Sequence, residues 1–360
     1  MINQQPNPMS EYYIAYFDIL GYQEFFKETP EKASEFLNIL HSAIAETKRR
    51  IEFFNSSQLI SHFSDLQIES KIFSDNILLC IKKDSDIKKE KMRITLFMAL
   101  IAEIQRKFIL QYGLFIRGGF TKGSLSLNED YVFGEGLIEA VKLEEKASHP
   151  RIIVSEKIIN YIYNNQLYSQ KEADRAISIE NKAKNDEQIS EADLLFYQNL
   201  SELARQEFLT RMFGSSLLYK HDDDVSSLSY LYCGEDFSNI PKEIMEQIKN
   251  IVHAFEPNNY ESYYSDSPNI NAILETHKNI VEQKIIKYSD YSSFETDDIK
   301  SFEINEKILK KYVWAMVYHN QICRRYNKLE YFINTKGNCE SRHMKLLIKV
   351  IDKDGNVINQ

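Results

Sequence analysis

The chain has 360 residues and a mass of 42.3 kDa, with 43% hydrophobic and 27% charged residues, which is ordinary globular composition. A net charge of −9 and a pI near 5.5 argue against a nucleic-acid-wrapping protein, because such proteins need a basic face. The longest apolar stretch, residues 94–104, is interrupted by Glu103, whereas a membrane span needs about 20 apolar residues. The sequence therefore predicts neither a nucleic-acid partner nor a membrane partner.

The cellular compartment is predicted from the N-terminus and the cysteines. Residues 1–13 are polar and lack the basic and apolar regions of a signal peptide. The four cysteines are scattered without CxxC spacing, which indicates neither a disulfide framework nor a zinc site. We therefore expect a cytoplasmic protein.

Strand and helix patterns alternate in the first part of the chain, residues 11–165. In chain order they predict a buried strand at 12–19, a helix at 34–54, two strands within 67–82 with a turn at 74–76, a helix at 87–111, a strand at 114–126, a helix at 137–146 and a strand at 151–155. The order β-α-β-β-α-β-α-β is typical of an α+β fold of ferredoxin type.

The sequence pattern differs in the rest of the chain. Residues 166–225 are charged and poor in glycine, which predicts a helical insertion. Residues 226–360 would supply a remaining core strand at 227–233 and a mainly helical C-terminal extension. Within that extension we expect a loop at 256–266 and a last strand at 346–351. The predicted organisation is thus a core at 11–165, an insertion at 166–225 and an extension at 226–360.

Two aspartates could carry chemistry. Asp18 ends an apolar strand, where an uncompensated carboxylate is costly, and Gly21 follows it. Asp75 lies in the turn between two apolar strands. Carboxylates projecting from adjacent strand ends could hold divalent cations, which prefer oxygen ligands. Taken singly, each residue is also typical of a turn or of a helix cap.

Arg117 stands on an apolar strand and needs an anionic partner, because its charge cannot be removed. A phosphate would suit its fork of donors, and so would an internal salt bridge to Asp18 or Asp75. The two glycines that open the helix at 134–144 are weak evidence for a phosphate loop.

Four segments, taken together, resemble the motifs of the class III nucleotide cyclase family in their order. They are Tyr16-Phe17-Asp18-Ile19-Leu20-Gly21-Tyr22, Lys71-Ile72-Phe73-Ser74-Asp75, Ile116-Arg117-Gly118-Gly119-Phe120-Thr121-Lys122-Gly123 and the helix start at residues 133–144. The resemblance covers about residues 12–155 and implies the ferredoxin-like cyclase core, βαββαβ. It also implies a homodimer with its sites across the interface.

The resemblance assigns a role to each matching position. Metal ligands to two Mg²⁺ or Mn²⁺ ions would be Asp18, Asp75 and the carbonyl of Ile19. Backbone amides of Ile19, Leu20, Gly21 and Tyr22 would hold the triphosphate, and Arg117 would neutralise its charge. Tyr16, Lys71 and Tyr131 match base-contacting positions, and Lys142 stands where the family has its transition-state arginine.

Departures from the family pattern favour a different base. Ile138 stands where the family has the asparagine that orients the ribose, and Tyr131 stands where the purine cyclases have an aspartate that binds the purine. Ser74 replaces the glycine that precedes the second aspartate. A large Tyr16 would shrink the base pocket. These features, with Lys311-Tyr312-Val313-Trp314 and Tyr318-His319-Asn320, look like the pyrimidine cyclases of the Pycsar phage-defence system. This resemblance implies that UTP or CTP, with UTP preferred, becomes a cyclic nucleotide that activates a separate effector.

Other interpretations remain at this stage. The same residues could form an inactive cyclase-like nucleotide sensor. A diguanylate cyclase would need a Gly-Gly-Asp/Glu-Glu-Phe turn where residues 74–76 stand. The apolar helical setting of His319 favours a hydrogen-bonded core or interface histidine over a catalytic base. The run at 222–224 of three aspartates favours a solvated loop over a metal site.

Overall fold

The computed structural model describes residues 7–32, 37–45, 67–164, 169–185, 187–200, 217–231, 270–289 and 299–334. By their contacts these residues belong to two compact units. The first comprises the described residues within Met1–Ile104, Gly118–Ala147 and Arg151–Tyr230, and the second those within Gln105–Arg117, Ser148–Pro150 and Leu231–Gln360. Each unit is described by itself below.

The strands are β1 (Ser10–Leu20), β2 (Ile68–Phe73), β3 (Asn76–Lys82), β4 (Phe115–Leu127), β5 (Val132–Phe133), β6 (Ile152–Val154), β7 (Leu218–Lys220) and β8 (Ser226–Leu228). The helices are α1 (Tyr22–Glu28), α2 (37–45), α3 (Ile87–Tyr112), α4 (Glu135–Lys146), α5 (Glu156–Asn164), α6 (Gln170–Lys184), α7 (191–200), α8 (Ile270–Ser289) and α9 (Ile299–Arg325). The chain is therefore an α+β protein.

All eight strands belong to one mixed sheet in the order β2-β3-β1-β4-β6-β8-β7, with β5 paired to β4. The pairs β1–β3 and β2–β3 are antiparallel, whereas β4 and β6 run parallel. β1 is buried along most of its length, as its nearly unbroken apolar sequence predicts. This central position brings the end of β1 beside the β2–β3 turn.

One face of the sheet packs against α4. Its core joins the strand residues Tyr12, Ile14, Leu78, Cys80, Leu125 and Leu127 to Ala140 of the helix. Gly136, Ala140 and Glu144 are the buried residues of α4, and their spacing of four puts them on one helix face. Burial of this apolar stripe holds α4 on the sheet.

Glycines allow an unusually close approach between α4 and β4. A Cβ atom on Gly119 would lie 2.4 Å from the carbonyl oxygen of Ala140. A Cβ atom on Gly123 would lie 2.6 Å from the Cα atom of Gly136. Because these neighbours are backbone atoms, which cannot rotate away, only glycine fits at this crossing.

The second unit is built around α8 and α9. Their buried interface holds His277 and His319, whose rings stack with centroids 5.0 Å apart. His319 also bonds to the carbonyl oxygen of Tyr331 at 2.9 Å. The expectation that His319 is a hydrogen-bonded core residue is confirmed. The single tryptophan, Trp314, stacks on His149 and Tyr318 in the same unit.

The predicted elements of the first part are confirmed with shifts of a few residues. The strands expected at 12–19, within 67–82, at 114–126 and at 151–155 are β1, β2 with β3, β4 and β6; the helices expected at 87–111 and 137–146 are α3 and α4. The expected helix at 34–54 is helical at 37–45, and its other residues lie outside the described part of the chain. The expected loop at 256–266 and strand at 346–351 also lie outside it.

The predicted helical insertion at 166–225 differs at its end. Residues 170–184 and 191–200 are helical, but Leu218–Lys220 form β7, which pairs with β8. The acidic run forms the connecting loop, where Asp223 accepts two hydrogen bonds from the buried Arg151 at 3.0 and 2.6 Å. Asp223 is therefore an ion-pair partner that anchors this hairpin, and Asp224 forms a second, exposed ion pair with Lys220 at 3.0 Å. The division into three parts along the chain stays a prediction.

Among the helices that the structure describes, none combines the length and apolar character needed to cross a bilayer.

Candidate functional site

The register of the β1–β3 pair brings the two predicted acidic residues to neighbouring strand ends. Asp18 lies directly opposite Asn76, the residue that follows Asp75. The backbone N–H of Ile19 donates to the carbonyl oxygen of Asp75 at 3.0 Å. Residues 57 positions apart in the sequence are thus held together by the sheet itself. Both aspartates are half-buried.

Two backbone turns border the acidic pair. Ser74, in the β2–β3 turn, has φ 62°, and Gly21, at the start of α1, has φ 82°. Both residues are therefore in the left-handed region, which glycine adopts readily and serine does not. Ser74 therefore carries backbone strain that a glycine at this position would not.

Tyr16 shares the Asp18 face of β1, because residues two apart in a strand point the same way. Its hydroxyl donates to Oδ1 of Asn76 at 2.7 Å. Burial raises the pKa of Tyr16, and the negative charges of Glu144, Asp18 and Asp75 raise it further. The phenol is therefore a neutral donor that faces an acidic surrounding.

Asn76 and Glu144 are two polar residues of this surrounding that the sequence does not single out. Asn76 donates from Nδ2 to Oδ1 of Asp75 at 3.2 Å. Glu144 is a buried carboxylate on α4, and after burial its charge raises the pKa of Tyr16 more than the charges of Asp18 and Asp75 do. The antiparallel register of β1 with β3 is what places Asn76 opposite Asp18.

The predicted base-contacting residues Lys71 and Tyr131 are both tied to the hairpin that joins β4 and β5. Nζ of Lys71 donates to the carbonyl oxygen of Glu129 at 2.6 Å. The Tyr131 hydroxyl accepts from the backbone N–H of Asn7 at 2.7 Å. Lys71 and the segment that carries Tyr131 are thus neighbours, as a shared contact with a base would require.

The predicted phosphate and transition-state contacts are less closely defined. The backbone N–H of Ile19 already donates to Asp75 within the sheet. The predicted hydrogen bonds to a triphosphate are therefore left to the backbone N–H groups of Leu20, Gly21 and Tyr22. Arg117 is half-buried on β4 and belongs by its contacts to the second unit, so its approach to the aspartates stays a prediction.

The outer face of α4 carries the helix positions that depart from the cyclase motif. Ile138 is 56% exposed, and Lys142, one turn later, is exposed as well. Neither side chain is committed to the core of the first unit. A role for Lys142 at a subunit interface stays a prediction.

The donor atoms at the strand ends are of the chemical type that divalent cations prefer. The carboxylates of Asp18 and Asp75 and the carbonyl of Ile19 offer oxygen atoms, the ligands that Mg²⁺ and Mn²⁺ prefer. Within the described ranges, no group of three or more His, Cys, Asp or Glu side chains is arranged to hold a metal. A cation here would depend on the two carboxylates and on backbone oxygen.

Comparison with known proteins adds little to this geometry. No model of a known protein family matches the chain, and no curated protein matches it. It is similar to a solved structure described as a class III adenylyl cyclase-like ATP-binding protein from Pseudomonas aeruginosa, with 12% identity and a TM-score of 0.28. The match covers 42% of this chain and 35% of that one. Likeness of this degree supports no argument, so the residues of the site must carry the function.

Proposed function

We propose that the chain is a nucleotide cyclase that converts a pyrimidine nucleoside triphosphate into its 3′,5′-cyclic nucleotide and pyrophosphate. The substrate is UTP, with CTP as the close alternative. The observation that carries this proposal is the β1–β3 register, which sets Asp18 opposite Asn76 and bonds Ile19 to Asp75. Two acidic residues at one sheet end, next to a glycine turn, suit a cation-bound triphosphate.

In the reaction, the ribose 3′-oxygen attacks the α-phosphorus and pyrophosphate leaves. Asp18, Asp75 and the Ile19 carbonyl would hold two Mg²⁺ or Mn²⁺ ions, which would supply charge neutralisation and lower the pKa of the 3′-hydroxyl. Arg117 binds the leaving phosphates, and Lys142 contributes positive charge near the transition state. The protein forms no covalent bond to the substrate in this reaction, so the rate acceleration comes from the positioning of these groups.

Base selectivity follows from Tyr16 and Tyr131. The Tyr16 ring is fixed by its bond to Asn76 and occupies volume beside the acidic pair. Tyr131 offers a phenol, held by Asn7, where purine cyclases carry a carboxylate. A carboxylate accepts a hydrogen bond from a purine amino group, whereas a phenol in a narrower pocket favours a smaller base.

The cellular role that we propose is second-messenger synthesis in antiphage defence. The cyclic nucleotide would act on a separate effector, and the enzyme would be a cytoplasmic homodimer. The exposure of Ile138 and Lys142 on one face of α4 is compatible with such an interface. When a partner covers an apolar side chain of this size, the burial of its surface favours association.

A nucleotide sensor without turnover is the second candidate. It is favoured by Ile138, which cannot hydrogen-bond a ribose, and by Lys142, which lacks the planar fork of arginine. The acidic pair argues for turnover, because a sensor does not need two catalytic cations.

The test is incubation of the purified full chain with Mn²⁺ and each of the four ribonucleoside triphosphates. We expect a cyclic pyrimidine nucleotide and pyrophosphate, identified by chromatography and mass spectrometry. Asp75→Asn should reduce turnover at least 100-fold, because an amide is a poor ligand for a hard cation, whereas Asp222→Asn in the β7–β8 loop should leave it unchanged. Full turnover in both Asp18→Asn and Asp75→Asn would refute the metal assignment. Nucleotide binding by calorimetry without product would select the sensor.

A further inference from the structure

The hydrogen bonds around Asn76 have a direction that the chemistry of the groups determines. A carboxylate oxygen accepts hydrogen bonds, and Oδ1 of Asp75 accepts from the amide nitrogen of Asn76 at 3.2 Å. The amide oxygen of Asn76 then faces Tyr16, whose hydroxyl must donate across 2.7 Å. The order is Tyr16 hydroxyl to Asn76 amide to Asp75 carboxylate.

This chain of bonds connects the two strands that carry the acidic residues. Tyr16 and Asp18 share one face of β1, and Asn76 is the cross-strand partner of Asp18. Directly opposed residues in an antiparallel pair have Cβ atoms about 5 Å apart. Asn76 is therefore a neutral side chain beside both carboxylates, and it is fixed from one side by Tyr16.

The bond leaves Asp75 with one carboxylate oxygen engaged by the amide. An amide N–H that occupies Oδ1 limits rotation of the carboxylate and directs the other oxygen away from Asn76. The backbone of the same residue is fixed too, because its carbonyl accepts from Ile19 at 3.0 Å. Both the main chain and the side chain of Asp75 are thus positioned from β1.

We infer that Tyr16 and Asn76 are positioning residues that orient the Asp75 carboxylate for a divalent cation. The inference deepens the proposed function and rests on it, since it concerns the same site. In this role neither residue touches the cation, and the contact proposed between the Tyr16 ring and the base is separate from the bond that its hydroxyl makes to Asn76. Each acts through Asp75, and the pair acts as a unit because Tyr16 fixes the amide that fixes the carboxylate.

The experiment measures Mn²⁺ affinity of the full chain without nucleotide, by calorimetry or by the electron paramagnetic resonance signal of free Mn²⁺. Outer hydrogen-bond partners of metal ligands are worth about 10–100-fold in affinity. We expect Asn76→Ala and Tyr16→Phe each to weaken Mn²⁺ binding roughly 10-fold. The double variant should lose about as much as Asn76→Ala alone, because both substitutions break the same chain of bonds.

Two further variants serve as references for the measured Mn²⁺ affinities, one for loss of binding and one for unchanged binding. Asp75→Asn should remove most Mn²⁺ binding. Tyr163→Phe, which removes a hydroxyl from a 42% exposed ring on α5, should leave affinity unchanged. A thermal melt of every variant separates orientation from stability, because a purely structural bond would lower the melting temperature and leave Mn²⁺ affinity intact.

The outcomes separate this inference from the proposed function. If the wild type binds Mn²⁺ through Asp75, but Asn76→Ala and Tyr16→Phe bind as tightly, the positioning role is wrong and the cyclase proposal stands. If the wild type does not bind Mn²⁺, or binds it equally after Asp75→Asn, both are overturned. Additive losses in the double variant would show that the two residues act separately, against the inferred chain.

Discussion

Ser74 is the residue of the β2–β3 turn whose backbone is least suited to its side chain. Its φ of 62° lies in the left-handed region, which costs a residue with a Cβ atom about 1–2 kcal/mol. Glycine avoids that cost but loses about 0.5–1 kcal/mol more conformational entropy on folding. We therefore expect Ser74→Gly to raise the free energy of unfolding by up to about 1 kcal/mol, measured by urea denaturation followed by circular dichroism.

Ser85 provides the matched control for this substitution. It is exposed in a bend before α3, and its φ is not positive. Ser85→Gly should therefore only lose stability, by roughly 0.5–1 kcal/mol, because glycine relieves no strain there. Equal losses at the two positions would contradict the strain assigned to Ser74.

At the residue level the sequence predicts charged groups better than their neutral neighbours. Asp18 and Asp75 could be singled out because a carboxylate beside a buried strand demands an explanation. Asn76 follows Asp75 in a turn, where asparagine is common for conformational reasons alone, so its bonds to Tyr16 and Asp75 were hidden. Only the pairing register identifies its partners, and register depends on the fold of both strands.

The helix α4 is the element whose placement on the sheet depends most on absent side chains. On Gly119, a Cβ atom would lie 2.4 Å from the carbonyl oxygen of Ala140 and 2.4 Å from Cβ of Leu143. Overpacking of this kind costs about 1–3 kcal/mol. Gly119→Ala should therefore lower the free energy of unfolding by that amount, and it should also reduce turnover because α4 carries Lys142.

Ser124→Ala on the same strand serves as the control, because Ser124 is half-buried and away from the Gly119 crossing. We expect its free energy of unfolding to stay within about 0.5 kcal/mol of the wild type, as for substitutions outside special features. A Gly119→Ala protein as stable as Ser124→Ala would mean that α4 does not lie this close to β4.

Elements with strong local patterns were predictable, and short paired ones were not. The apolar run at 12–19 and the turn at 74–76 determine β1, β2 and β3 with little help from the rest of the fold. β7 has three residues, too few for a periodic pattern, and it forms because β8 pairs with it. The ion pair between Arg151 and Asp223 joins residues 72 positions apart, a separation at which sequence pattern gives no information.

At the scale of the whole molecule, the stability of the second compact unit can be followed by itself. Trp314 is the only tryptophan of the chain and belongs to the second unit, so its fluorescence reports the unfolding of that unit. The buried histidine pair between α8 and α9 lies in the same unit. The tryptophan can therefore follow the response of this pair to pH.

The protonation of the histidine pair follows from its acceptors. The Tyr331 carbonyl can only accept, so Nε2 of His319 carries the hydrogen in their 2.9 Å bond. Nδ1 of neutral His319 is then an acceptor, and Nδ1 of His277 must donate across 3.1 Å. A further proton on His319 would set two donors face to face. Burial lowers the pKa of His319 to about 4 and lowers the pKa of His277.

These lowered pKa values predict that acid weakens the second unit. Unfolded histidine has a pKa near 6.5, so between pH 6.5 and about 4 the unfolded chain binds more protons than the folded one. The stabilisation is full above pH 6.5 and falls as the pH falls, by roughly 2 kcal/mol at pH 5 from His319 alone. Among the described residues, the charge of Lys278 also lowers the pKa of His319, and the charge of Glu330 acts on the neighbouring Cys323. Urea unfolding followed by Trp314 fluorescence at pH 7.5, 6.0 and 5.0 measures the loss.

The combined substitution of His277→Leu and His319→Leu should flatten the pH dependence, because leucine does not titrate. An equal slope in the wild type and the double variant would assign the acid sensitivity to other groups.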